Sequence, residues 1–301
     1  MTVAYPLTIT KTIKPFTYLR PSTVSEAVDL LAQHEGEARL LAGGTDLLVS
    51  MKRRAITPDY LVGLHGIADL QGIRGEEGIL RIGALTTLSE IQESSVIRDN
   101  CYCLYEATLD FATPQVCNTA TIGGNICRSS PSADTACPLL VMDASATVVG
   151  LDGSRTVRLS EFFTGPGTNV LENGILTEIT VPIPQKPYGT AFAKMTRNSC
   201  DLAKANGAVR IGIQEERCTD VRIAVGAVAE TPRRVPAAES VIEGLQVTQV
   251  TDAALEAAAE RVADFIAPIS DVRSSADYRL HVTRVLTKRL IVEALGRARL
   301  S

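Results

Sequence analysis

Prolines at positions 182, 184 and 187 divide this chain into two stretches with different patterning. Each proline removes a backbone donor and fixes φ, so no helix interior or central strand runs through them. Beyond this break come two alternating runs, "GAVRIGIQEE" (207–216) and "DVRIAVGAVAE" (220–230), then two helical segments, "TDAALEAAAERVADFI" (251–266) and "SADYRLHVTRVLTKRLIVEALGRARL" (275–300). The first shows a period of two and the second of 3.6, and strands followed by helices predict a compact α+β unit. Tyr278, Val282, Val285, Leu286, Leu290 and Val292 form the predicted apolar stripe of the last helix. A chain of 301 residues has room for two domains, so the boundary is set between 185 and 186.

Upstream of the break the pattern is mixed. Thr23 with Glu26 three residues on reads as a capping box, Val24, Ala27, Val28, Leu30 and Leu31 recur at helical spacing, and Gly36 suits a helix stop. "DYLVGL" (59–64) and "GILRIGAL" (78–85) read as strands separated by the polar "EEG" turn, with a helix from about Thr87 and another from Cys101 to Ala112. "ATVVGLDGSRTVR" (146–158) reads as a hairpin turning on its Asp-Gly.

Composition narrows the partners. With 30 basic and 34 acidic residues the net charge is -4, too balanced for a grip on nucleic acid or an anionic membrane. Aromatic residues make up 4% and tryptophan is absent, which argues against stacked-base platforms. The opening "MTVAYPLTITKTIKPF" has no basic region followed by an apolar core, and no window is long and apolar enough for a membrane span, so a cytoplasmic protein without membrane insertion is expected. The odd count of 7 cysteines fits reduced thiols, and the scattered His34, His65 and His281 support neither a zinc site nor a catalytic triad.

Two glycine pairs carry the chemistry. Ala42, Gly43, Gly44, Thr45 and Asp46 follow an apolar run; Thr121, Ile122, Gly123, Gly124 and Asn125 repeat the arrangement later. Lacking Cβ, glycine lets consecutive N–H groups face an anion, and two such turns suit a pyrophosphate held from opposite sides. Neither matches the G-x-G-x-x-G or the G-x-x-x-x-G-K-[ST] fingerprint. Asp134, among Ser129, Ser130 and Ser132, suits sugar or ribityl hydroxyls and equally a helix N-cap. Cys101, Cys103, Cys117, Cys127 and Cys137 lack the close pairing of an iron-sulfur site and read as small core residues, with Cys101 and Cys103 pointing apart.

The segments "LLAGGTDLLVSMK", "PQVCNTATIGGNICRSSPSADTACPLL", "GILTEITVPIP" and "SDVRSSADYRLHVTRVLTKRLI" resemble the FAD-binding medium subunits of the molybdenum hydroxylases, the family of xanthine dehydrogenase and carbon monoxide dehydrogenase. The resemblance spans about residues 14 to 298. It implies an α+β protein: an FAD-binding domain of the vanillyl-alcohol-oxidase (PCMH) type over residues 1–185, with subdomains of about 1–65 and 66–185, then a C-terminal domain over 186–301 with a three-stranded antiparallel sheet and helices.

It also implies that the FAD pyrophosphate lies against Leu40, Leu41, Ala42, Gly43, Gly44, Thr45, Asp46 and Leu47 and against Thr121, Ile122, Gly123, Gly124 and Asn125, with Ala112 and Thr119 nearby. Asp134 matches a family aspartate that binds FAD, while Leu176 and Lys194 match positions near its adenine or isoalloxazine end. The implied partners are a large molybdopterin subunit and a small [2Fe-2S] subunit, in a dimer of heterotrimers. The implied role is to pass electrons from the partner's clusters through FAD to an external acceptor. No catalytic residue and no metal ligand is expected in this chain. Cys117 stands where many relatives carry arginine, and no cysteine-rich insertion lies between Asn125 and Pro131. The rival reading is a self-sufficient FAD-dependent oxidase or reductase of the same fold.

Overall fold

The computed structural model describes residues 12–301, so most of the N-terminal stretch read for a leader, and the start of the first domain, lie outside the described residues. The described residues begin with a small parallel unit: β1 (Thr17–Leu19), α1 (Val24–Gln33), β2 (Ala38–Leu41), α2 (Leu47–Lys52) and β3 (Tyr60–Gly63), with strand order β1-β3-β2. Thr23 caps α1 by accepting from the Glu26 N–H at 3.1 Å, but only half of the predicted capping box forms. The Glu26 carboxylate reaches instead to the N–H of Ser22 at 2.7 Å, which holds its pKa below the ordinary value. Ala27 and Val28 enter the core, and Gly36 lies at positive φ in the turn after the helix.

Next, β4 (Ile73–Glu76) and β5 (Ile79–Gly83) form a hairpin, and it is this hairpin that the "EEG" turn closes. β4 was not expected, because "IRGE" is exposed and carries no alternation. A helical layer follows: α3 (Leu88–Glu93), α4 (Ser95–Asn100), α5 (Tyr102–Leu109), α6 (Pro114–Cys117), α7 (Ile122–Cys127) and α8 (Ala136–Val141). Thr87 and Glu90 make a complete capping box at α3. The hairpin of β6 (Ser145–Gly150) and β7 (Gly153–Arg158) turns on the Asp-Gly as expected, and α9 (Leu159–Phe162), β8 (Phe163–Gly165), β9 (Thr168–Asn169) and β10 (Ile175–Pro182) complete the unit. Its five-stranded sheet runs β4-β5-β10-β6-β7 and packs through Leu80, Ile82, Ile179 and Val148 against the helical layer.

The C-terminal sheet has four strands rather than three: β11 (Tyr188–Met195), β12 (Ala205–Gln214), β13 (Arg217–Gly226) and β14 (Arg233–Arg234). The fourth spans only Arg233 and Arg234, too short to show a pattern. α10 (Pro236–Ile242), α11 (Asp252–Phe265) and α12 (Ala276–Ala298) cover one face of this sheet. In α12 Val282, Leu286 and Leu290 are buried as expected, but Tyr278 and Val292 are 41% and 54% exposed. Arg279, Thr283 and Thr287 take the inner face instead, the threonine hydroxyls donating to the carbonyls of Arg279 and Thr283. A helix bonding its own hydroxyls one turn back can bury threonine, which apolar counting overlooks.

Strand period explains the other face. Along β11, Thr190, Phe192 and Lys194 meet the helical layer: Thr190 Oγ1 accepts from the Cys103 N–H, Phe192 joins the helical-layer core, and Lys194 pairs with Asp134. Along β12, Asn206, Ala208 and Arg210 do the same, while Val209 and Ile211 join the C-terminal core. Side chains alternate between faces every residue, so one register directs a whole row at the helical layer. Arg210, Arg222 and Arg234 converge on Asp143 at 2.8, 3.3 and 2.7 Å. Glu106 receives both terminal nitrogens of Arg297, from the far end of α12.

The parallel unit is pinned to the helical layer by backbone contact. A Cβ on Gly43 would lie 1.9 Å from the carbonyl oxygen of Thr119. Only glycine fits there.

Two substitutions test this packing. Gly43→Ala is expected to lower unfolding stability by about 1–3 kcal/mol through forced overpacking, whereas Gly296→Ala, in open space on α12, raises it by up to roughly 1 kcal/mol. Asp143→Asn keeps a residue tolerant of the left-handed φ of 52° while removing the shared charge. Urea titration should show a loss of roughly 2–4 kcal/mol, and an unchanged midpoint would mean that the arginines do not depend on Asp143.

Candidate functional site

The loop Ala42–Asp46 leaves the carboxyl end of β2, beside the end of β3, where Leu41 is in register with Gly63. Open parallel sheets bind ligands outside the carboxyl ends of their strands. Gly44 adopts a φ of 71°, which a side chain would strain. Among the described residues, the N–H groups of Gly43, Gly44, Thr45, Asp46 and Leu47 have no protein acceptor. Asp46 stands at the N-cap position of α2, but its carboxylate makes no capping hydrogen bond. A row of free, adjacent donors is a surface suited to an anion.

The second glycine pair behaves differently from its sequence expectation. Gly123 and Gly124 do not form an open turn; they lie in the first turn of α7, capped by Thr121. Ile122 N–H donates to the Thr86 carbonyl at 3.0 Å, Gly123 N–H to Ala84 at 2.9 Å and Gly124 N–H to Thr121 Oγ1 at 3.0 Å. The backbone beyond β5 has taken the first two of these donors, joined through an antiparallel bridge between Thr87 and Thr121. Among the described residues, what stays free on this side are side-chain donors, the Thr121 hydroxyl hydrogen and the Asn125 amide; Asn125 Oδ1 already accepts from Thr135 Oγ1 at 2.6 Å.

Asp134 is neither exposed nor a helix cap. Its Oδ2 accepts from Lys194 Nζ at 2.8 Å and its Oδ1 from Asn206 Nδ2 at 3.1 Å, with the Asp134 and Lys194 side chains each 7% exposed. Thr135, not Asp134, occupies the N-cap position of α8. Burial pushes the Asp134 carboxyl up, against the opposing pull of Lys194 and Asn206. Lys194 Nζ also donates to the Asp201 carbonyl at 3.3 Å, tying the loop after β11 to the same acid. Asn206 in turn accepts from Cys137 Sγ at 3.4 Å. Asn206 was not foreseen: in "KANGAV" it reads as an ordinary strand residue, and only the pairing of β12 with β11 brings it to Asp134.

The remaining expected residues separate into two groups. Thr119 is exposed, with its carbonyl under Gly43, and Ala112 lies between α5 and α6, accepting from Cys117 Sγ at 3.7 Å. Of these, Thr119 adjoins the loop. Ile122 is fully buried, and Leu176 is buried in β10. Their side chains belong to the core, and Leu40, Leu41, Ala42 and Leu47 are partly buried around the loop.

Cys101, Cys103, Cys117 and Cys137 are buried core residues, as expected, while Cys127 is intermediate. Cys101 sits at the junction of α4 and α5, outside helical geometry, and its neighbour Cys103 and burial push its thiol up. Burial pushes the Cys127 thiol up to about 12 and raises that of Cys137 further. No cluster of three or more histidine, cysteine or acidic residues able to hold a metal ion occurs among the described residues. No helix among them is long and apolar enough to cross a membrane.

Comparison with known proteins assigns the arrangement. Residues 14–184 match the family model described as FAD binding domain in molybdopterin dehydrogenase, and residues 190–294 match CO dehydrogenase flavoprotein C-terminal domain. The xanthine dehydrogenase FAD-binding subunit of Escherichia coli O157:H7 is 36% identical over 288 residues, covering 93% of this chain and 96% of that one. The carbon monoxide dehydrogenase medium chain of Afipia carboxidovorans is 34% identical over 285 residues, covering 94% and 98%. The solved structure of carbon monoxide dehydrogenase from Hydrogenophaga pseudoflava superposes with a TM-score of 0.92 at 35% identity, covering 95% of this chain and 99% of that one. With a free-donor loop pressed against a helical layer and family models matching both halves, the chain belongs to the FAD-binding medium subunits of the xanthine dehydrogenase and carbon monoxide dehydrogenase family of molybdenum hydroxylases.

Proposed function

We propose that this chain carries FAD as the electron-transfer subunit of a molybdenum hydroxylase, receiving electrons from [2Fe-2S] clusters on a small partner and passing them to an external acceptor. The organic substrate is handled at a molybdopterin on a large partner. The observation that carries this reading is the row of unengaged N–H groups from Gly43 to Leu47. Such donors neutralise a pyrophosphate without a lysine, and the absence of a Cβ at Gly43 allows the loop to lie directly on Thr119.

In this reading the main-chain donors of Gly43–Leu47 hold the phosphates. Thr45, Thr121 and Asn125 supply side-chain donors, and Thr119 and Ala112 form the adjoining wall. Asp134 and Lys194 are held to each other and set the far end of the site, where the C-terminal domain meets it. Bound flavin supplies the redox chemistry, and the protein binds, orients and shields it. The FAD-binding domain takes residues 1–185, with subdomains of about 1–65 and 66–185, and the C-terminal domain 186–301. The assembly is a dimer of heterotrimers, and the free cysteines suit a reducing cytoplasm.

The full chain purified with its partners should be yellow and release FAD on acid treatment, with molybdenum, pterin, iron and sulfide in the partner subunits. A chain that stays colourless when FAD is added defeats the reading. Lys194→Met leaves the buried Asp134 carboxylate unpaired and should cost about 3–5 kcal/mol of stability. Combining it with Asp134→Asn should recover much of that loss in the same denaturation assay.

A further inference from the structure

Arg128, which follows α7, has no counterpart among the residues discussed so far. Its Nε lies 3.8 Å from Oδ1 of Asp46, across the opening between the Gly43–Leu47 loop and the helical layer. The side chains are 51% and 68% exposed, and an exposed pair at this separation contributes little to folding. The guanidinium makes no hydrogen bond to any described residue. It extends over Gly167, in the turn between β8 and β9, where an added Cβ would be 3.3 Å from Arg128 Nη1. That turn is tied to the end of α7 by Gly167 N–H donating to the Ser129 carbonyl at 2.9 Å.

Asp46 poses an electrostatic problem that Arg128 solves. Its carboxylate sits within a row of free N–H donors and would repel a phosphate bound there. A neighbouring guanidinium offsets that charge and keeps planar donors available for bidentate contact with phosphate oxygens. We infer that Arg128 is a further phosphate-binding residue of the flavin site, facing Asp46 at the mouth of the loop and donating to the cofactor's pyrophosphate. The inference rests on the FAD reading above and adds to it a cation outside the glycine segments. A purely main-chain cradle would need none.

The test uses the full chain in the complex with which it purifies, stripped of flavin and titrated with FAD and, separately, with riboflavin, which has no phosphate. Flavin fluorescence reports binding, and circular dichroism with a thermal melt confirms that each variant is folded. Arg128→Met should weaken FAD binding on the order of ten- to a hundred-fold while leaving riboflavin unchanged, and should reduce the loss of FAD affinity on adding salt. Arg128→Lys should restore part of the affinity. Asp46→Asn should tighten FAD binding several-fold by removing a like charge from the phosphates.

Equal FAD affinity in wild type and Arg128→Met, or equal weakening of FAD and riboflavin, overturns the role of Arg128 while leaving the FAD reading standing. A wild-type chain that binds neither flavin overturns both.

Discussion

The C-terminal sheet is buried on both faces, and the site depends on that constraint. A strand sends successive side chains to opposite sides, so β11 and β12 must satisfy two neighbours at once. Val209, Ile211 and Ala191 face the helices α10–α12 with apolar surface. The intervening positions carry Thr190, Lys194, Asn206 and Arg210, whose polar groups would be stranded without partners on the helical layer and the loops that follow it. Those partners are the α5 backbone, Asp134 and Asp143. A register slip of one residue would turn each charged row into the apolar core, so the interface and the position of Lys194 are specified together.

A second constraint acts at the opposite end of the site, where the parallel unit meets the helical layer through main chain rather than side chains. At Gly43 the backbone rests on the carbonyl of Thr119, which leaves no space for any other residue. The two glycine pairs have divided labour as a result. The first supplies free donors, while the second has surrendered its donors to Ala84 and Thr121 and serves to pack α7 closely against the backbone beyond β5. The same residue type thus answers two different physical needs.

Much of the fold could be read from pattern. The Asp-Gly hairpin, the helix from Thr87 and the alternation of β12 and β13 each rest on local chemistry that survives into the structure. The misses share a cause. β4 is exposed and β14 is two residues long, so neither carries an alternating pattern, and α12 buries Arg279, Thr283 and Thr287 because hydrogen bonds satisfy them. Hydrophobic periodicity registers burial only when burial is apolar. Asp134 left two readings open from its neighbours alone, since a cap and a buried ligand look alike in "SPSADTA".

By itself the sequence determined the segments that contain the glycine pairs and Asp134 and, through the resemblance those segments carry, the family, because these are encoded by local residue types in a local order. Only the tertiary structure decided which donors stay free, that Asp134 meets Lys194 and Asn206, and that Arg128 faces Asp46. The reason is one of range. A glycine's freedom or a cap is a property of a few adjacent residues, whereas whether a donor is available depends on which distant backbone reaches it first.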